Sequence, residues 1–243
     1  MPDNLLEYEM WGKNALYCEP LSRGSEKMSF PLPTYQSLIG TSESIYWKPT
    51  FKYVIDDLRV INPIKVESKS MRPLDKRLAL NHNTLAFYTY LSDVRYQVRC
   101  HIEWNLQRED LVADRNIKKH TAIFKRALKA GGRRDVFLGT RECQGYVKPQ
   151  IFGSGAGYYD DVESQYFGLM FHGYNYPSDT GDPMLSVRMD APIMKKGVVH
   201  FKRPEECKII QPIRKIKDTG GHDQKLFESV DDLYKQMIRG DDK

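Results

Sequence analysis

Between Val94 and Trp104 the chain alternates without a break. Val94, Tyr96, Val98, Cys100, Ile102 and Trp104 take one side, and Arg95, Gln97, Arg99, His101 and Glu103 take the other. Eleven residues at period 2 fit an extended strand and no helix, so the chain must build a sheet with one apolar and one polar face. With "FYTYL" before it and Ser92-Asp93 as a turn, the segment predicts a long hairpin. Its polar face carries two arginines and a histidine and is open to two readings, a solvated surface or one that faces RNA.

Other elements arrange themselves around this hairpin. "LLEYEMWGKNALYC" predicts a first strand, with Leu6, Tyr8 and Met10 on one side and Glu7 and Glu9 on the other. A helix is expected from Thr34, because Tyr35, Leu38, Ile39, Ser42, Ile45 and Tyr46 form one stripe. Gly40 interrupts it and suggests close backbone approach by a neighbour. "FKYVI", an Asp56-Asp57 turn and "LRVINPIKVES" read as a second hairpin, relieved at Pro63. A further helix spans about Asn116 to Ala130 and stops at Gly131-Gly132. "DVFLGTRECQGYVKPQIF" then reads as a returning strand.

The order strand, helix, two strands, inserted hairpin, helix, strand makes residues 1–150 an α+β, ferredoxin-like (RRM-like) β-α-β-β-α-β domain, an architecture that commonly presents a sheet face to RNA. The pieces "YFGLMFHGYNYP", "LSVRMDAPI" and "GVVHFKRP" predict a small antiparallel β domain over residues 151–216. Residues 217–243 read as a linker and an amphipathic tail helix, with Phe227, Val230, Leu233, Tyr234, Met237 and Ile238 on one stripe.

A chain of 243 residues can bury a true core without covalent staples. Cys18, Cys100, Cys143 and Cys207 lie far apart with no C-x-x-C pair, so the spacing spells out neither a zinc ribbon nor a redox dithiol, and a reduced, cytoplasmic protein is expected. No secretory leader and no run of apolar residues long enough to cross a bilayer is present, so no membrane partner is expected.

Charge narrows the partner class. The formal net charge is +5, yet residues 1–150 hold 24 Lys and Arg against 17 Asp and Glu, while residues 151–243 are net acidic. Arg115 to Lys148 alone carries 10 basic and 2 acidic residues. A concentrated positive field attracts polyanions, and a solvated helix face would intersperse glutamate. On a helical wheel Ile117, Thr121, Phe124 and Leu128 cluster within about 40°, and Lys118, Lys125 and Arg126 project away from them. Nucleic acid is therefore the expected ligand, with Arg115, Lys118, Lys125, Arg126, Arg133, Arg134, Arg95 and Arg99 as candidate phosphate contacts.

The chemistry that fits is acid–base. Carboxylates are scarce where the positive charge is greatest, so no metal site and no cofactor is expected. Gly153-x-Gly155-x-Gly157 lacks the Lys-Ser/Thr ending of a phosphate loop and reads better as a turn. RNA carries its own nucleophile, the 2′-hydroxyl, so cleavage needs a base, an acid for the departing 5′-oxygen and a cation for the phosphorane. Of six histidines, only His120 lies inside the basic cluster, beside Lys119 and near a helix N-terminus. On the wheel His120 also flanks the apolar stripe, which leaves a structural role open.

The blocks "PTYQSLIGTSESIYWKPTF", "YTYLSDVRYQVRCHIEWN", "GGRRDVFLGTRECQGYV" and "FGLMFHGYNYP" resemble the type I-C (Dvulg) CRISPR-associated protein Cas-five, subtype d, over roughly Leu6 to Ile216. The resemblance implies a ferredoxin-like domain with a small C-terminal β domain. It implies an endoribonuclease that cuts the CRISPR precursor transcript at each repeat hairpin and stays on the 5′ handle as a surveillance-complex subunit. It further implies that Tyr46, Lys119 and His120 are catalytic. Two rival readings are a non-catalytic subunit capping the guide RNA and a nuclease acting on duplex DNA.

Overall fold

A computed structural model describes residues 4–19, 22, 24, 26–73 and 85–216. Its elements are β1 (Leu5–Ala15), α1 (Tyr35–Ile45), β2 (Phe51–Val60), β3 (Lys65–Met71), β4 (Ala86–Trp104), α2 (Ile117–Lys129), β5 (Val136–Phe137), β6 (Gln144–Pro149), β7 (Gln165–Tyr166), β8 (Met170–Asn175), α3 (Pro177–Thr180), β9 (Met184–Asp190), β10 (Ile193–Lys195), β11 (Val198–His200) and β12 (Ile209–Lys215). Helices and antiparallel strands are mixed, as expected. A main sheet runs β5-β6-β1-β4-β2-β11-β10-β7, with β3 paired to β4, and a second sheet runs β12-β9-β8.

The period-2 segment is the spine of the main sheet, but Ser92-Asp93 is not a hairpin turn. β4 continues through it, pairing with β1 in unbroken register from Leu5–His101 to Ala15–Leu91. On its other edge β4 pairs with β2 over residues 96–104 and with β3 over residues 86–92. Asp93 sits where that partner changes and takes φ 52°, a conformation Asp tolerates. The hairpin is thus β3 with the first half of β4. Asp56-Asp57 is likewise no turn: β2 passes through it, with a register shift between Ile55 and Asp57.

The apolar stripes meet on one face of the sheet. Tyr8 and Met10 of β1, Val98 and Cys100 of β4, Leu38 and Ile45 of α1 and Phe124 of α2 are all fully enclosed. Phe124 packs against Tyr8 and Tyr53, with ring centroids 6.2 and 6.0 Å away. Truncating it to alanine should cost about 3–5 kcal/mol. Gly40 meets nothing within 4 Å, so the expected close approach there does not occur.

Helix ends obey the local chemistry. Thr34 Oγ1 accepts the Ser37 N–H at 3.2 Å, and Asn116 Oδ1 accepts the Lys119 N–H at 3.1 Å. Gly131 and Gly132 end α2 with φ 86° and 105°. The chain then docks onto α1, where the Arg133 and Arg134 N–H groups donate to the Ile45 and Ser44 carbonyls. The returning segment is not one strand but β5, a turn and β6. At Gly139 a Cβ would lie 2.0 Å from the Leu16 carbonyl oxygen, so that turn requires glycine.

Residues 151–216 do not all join a separate sheet. β8, β9 and β12 form the second sheet, whereas β11 pairs with β2 and carries β10 and β7 onto the main one. The Gly153–Gly157 loop folds over the polar face of the main sheet. The Arg59 guanidinium, buried beneath it, donates to the Ser154 and Gly155 carbonyls and to Asp160. The tail stripe from Phe227 to Ile238, along with His82 and His222, lies outside the described residues.

Candidate active site

Tyr46 is where α1 stops. Its N–H still bonds the Ser42 carbonyl, but φ −160° and ψ 127° turn the chain extended. The phenol therefore leaves the helical stripe and points toward α2. Tyr53 Oη donates to the Tyr46 carbonyl at 2.5 Å and fixes that departure. Tyr46 Oη lies 2.9 Å from His120 Nδ1.

His120 occupies the first turn of α2 and is wholly enclosed, with Phe51 and Trp104 edge-on at 5.1 and 5.9 Å. Its Nε2 lies 2.8 Å from the Asp114 carbonyl oxygen, which can only accept, so Nε2 carries the proton. In the neutral ring Nδ1 is then an acceptor, and the Tyr46 O–H donates to it.

Lys119 stands beside this pair with a half-exposed side chain and donates to Asp114 Oδ1. The second Asp114 oxygen accepts from Thr50 Oγ1 at 2.7 Å and lies 3.5 Å from His120 Nε2. Hydrogen bonds from Lys119 and Thr50 lower the Asp114 carboxyl to about 2, and Asp114 in turn raises the Lys119 ammonium. Burial and the Asp114 charge raise the Tyr46 phenol, while Lys119 and the Arg133 guanidinium, 5.6 Å from the Tyr46 ring, oppose the shift.

Tyr46, Lys119 and His120 thus converge on one spot, joined through Asp114. Neither Asp114 nor Thr50 stands out in the sequence. The one available signal for Asp114 was an acid placed just before the N-cap of a basic helix.

The remaining candidates divide into three groups. Lys118, Lys125, Arg126, Arg133 and Arg134 are exposed on α2 and the turn after it. Arg115 is turned inward, donating to the Asn105 and Arg108 carbonyls. Arg95 and Arg99 lie on the opposite sheet face, Arg95 paired with Glu9 and Arg99 with Glu7 and Asp57. Gln97 between them is buried against Gly153 and Ser154, so the loop covers part of that face. Among the described residues no group of three or more His, Cys, Asp and Glu could hold a metal ion, and no helix is long and apolar enough to cross a membrane.

Residues 5–202 match the family model described as CRISPR-associated protein (Cas_Cas5), in its Cas5d form. The chain is 28% identical over 160 residues to the CRISPR pre-crRNA endoribonuclease Cas5d of Mannheimia succiniciproducens, covering 57% of this chain and 69% of that protein. It is 27% identical over 157 residues to the protein of the same name from Thermus thermophilus, covering 59% and 63%. Among solved structures, one described as a CRISPR-associated protein superimposes with a TM-score of 0.71 at 35% identity, covering 85% of this chain and 96% of the other. A functionally uncharacterized protein from Streptococcus mutans gives 0.72 at 37% identity over the same shares.

Proposed function

This chain belongs to the Cas5d family of CRISPR-associated proteins, and on that premise we propose that it is an endoribonuclease that processes CRISPR precursor RNA by attack of the RNA's own 2′-hydroxyl. The observation that carries the proposal is the 2.9 Å contact of Tyr46 Oη with His120 Nδ1, with Lys119 tied to the same pair through Asp114. Two relatives carry the name pre-crRNA endoribonuclease, which supports the same substrate.

In this reading Lys119, the exposed member, meets the scissile phosphate and stabilises the phosphorane. The Tyr46–His120 pair handles protons: the 2′-hydroxyl proton passes toward His120 Nδ1, directly or through the phenol, and one of the pair returns a proton to the departing 5′-oxygen. The product is a 2′,3′-cyclic phosphate. The exposed α2 cations hold flanking phosphates.

The β6-β1-β4-β2 order supports a ferredoxin-like assignment for residues 1–150, extended by the strands after residue 150. We assign the protein to the cytoplasm, bound to the 5′ handle of its guide RNA within a type I-C surveillance complex. One observation favours a second reading, an RNA-capping subunit without chemistry: His120 is enclosed and both ring nitrogens are occupied.

Incubating purified protein with its repeat RNA separates the readings. Cleavage that persists in EDTA, leaves a cyclic phosphate and stops on 2′-deoxy substitution at the scissile nucleotide is expected. Absence of cutting with intact RNA binding would leave the capping role, and EDTA-sensitive cutting of duplex DNA would point to the DNA nuclease.

A further inference from the structure

The main sheet has a second surface on the side away from α1 and α2. There the antiparallel registers align Tyr146 of β6, Trp11 of β1 and Arg95 of β4 in one row, and Lys148, Glu9 and Gln97 in the next. Trp11 and Tyr146 stack, with ring centroids 5.8 Å apart and planes inclined by 30°. Lys148 Nζ lies 5.3 Å from the Trp11 ring. Tyr146 is 54% exposed, so its ring is largely uncovered.

Charge on this patch is organised around one buried carboxylate. Glu9 Oε1 receives Arg95 Nη2 and Lys148 Nζ, both at 2.9 Å, so one anion orients two cations and the cluster stays net positive. The Gly153–Gly157 loop covers Gln97 at the β4 end of the second row and borders the patch on the side away from Lys148. A solvated sheet face needs no aromatic pair held in register between two fixed cations. Single-stranded RNA does: its bases have apolar faces to stack and its backbone carries one charge per nucleotide.

We propose that Trp11 and Tyr146, flanked by Arg95 and Lys148, form a stacking platform for an unpaired stretch of the RNA, separate from the candidate active site on the helical side. This rests on the RNA-processing function proposed above. Bases stack on the two rings while the cations take the adjoining phosphates. Arg95 thereby acquires a ligand role on this face, which its pairing with Glu9 positions. Tyr158, 66% exposed and anchored through its N–H to the Ile61 carbonyl, extends the row beyond Arg95, since Ile61 N–H itself bonds the Arg95 carbonyl.

The test compares affinities for two RNAs, the bare repeat hairpin and the same hairpin with its unpaired flank, for the intact protein and for Trp11→Ala, Tyr146→Ala and Trp11→Phe. The flank should tighten binding of the intact protein. That gain should fall about tenfold with each ring removed and largely survive in Trp11→Phe, whose ring also stacks and which guards against misfolding. Intact protein that gains from the flank, with alanine variants that gain equally, would overturn the platform and leave the processing function standing. Intact protein that binds neither RNA would overturn the processing function and the platform with it.

Discussion

The Tyr46 hydroxyl donates to Nδ1 of His120 at 2.9 Å, while the Asp114 carbonyl fixes the proton on the opposite ring nitrogen. The imidazole therefore presents its basic nitrogen to the phenol. A positioned proton-transfer group typically contributes about 10²- to 10⁴-fold. His120→Ala should lose cleavage by that order in single-turnover assays, and Tyr46→Phe by about 10²-fold. Both should retain RNA affinity. Undiminished cutting by His120→Ala removes the histidine from the mechanism.

Asp114 is the joint between the ammonium and the imidazole. Its carboxylate holds Lys119 and Thr50 and lies 3.5 Å from His120 Nε2, where it would support the imidazolium formed during proton transfer. Asp114→Asn keeps the shape and the backbone carbonyl but removes the charge. Cleavage at saturating RNA should fall about tenfold. An increase would mean that the carboxylate competes with the phosphate for Lys119 and restrains the enzyme.

The parts of the fold legible in the sequence are those that local physics decides. The alternation from Val94 to Trp104, the helix beginning near Asn116 and the Gly131-Gly132 stop are each set by a few neighbouring residues, and each is found where expected. The misreadings share a cause. Asp56-Asp57 and Ser92-Asp93 have turn chemistry, yet pairing of β2 with β4 overrides the first and pairing of β4 with β1 and β3 the second, leaving a bulge and one left-handed residue. That β11 would cross to β2 depends on contacts about 140 residues apart, which no window of sequence reports. At the site, Lys119 and His120 were visible as a motif inside a basic cluster. Asp114 and Thr50 were not, because their role arises only when β2 and α2 meet.

Lys118, Lys125, Arg126, Arg133 and Arg134 are exposed, and none takes part in the ion pairs among the described residues. Such cations release counterions when they meet phosphates. RNA affinity should fall steeply with salt, and Lys125→Ala with Arg126→Ala should reduce the slope of log affinity against log salt by about 1.4 to 2. An unchanged slope would mark α2 as a solvated face.

His172 ties acid stability to the second sheet. It is buried, stacked at 4.2 Å on Tyr35, and its Nε2 donates to the Lys202 carbonyl at 2.9 Å. Burial, reinforced by the Arg188 cation, lowers it to about 4, against the opposing pull of its hydrogen bond to the Lys202 carbonyl and of Asp190. An unfolded histidine titrates near 6.5. Between those values the unfolded chain binds more protons than the native one, so this contribution is present above about pH 6.5 and disappears as pH falls toward 4. The difference is about 3 kcal/mol. Urea unfolding at pH 7 and pH 4.5 should show a loss of that order in the intact protein and a smaller one in His172→Gln, which keeps a donor for the Lys202 carbonyl but does not titrate. Equal losses in the two proteins would mean that other groups govern the acid transition.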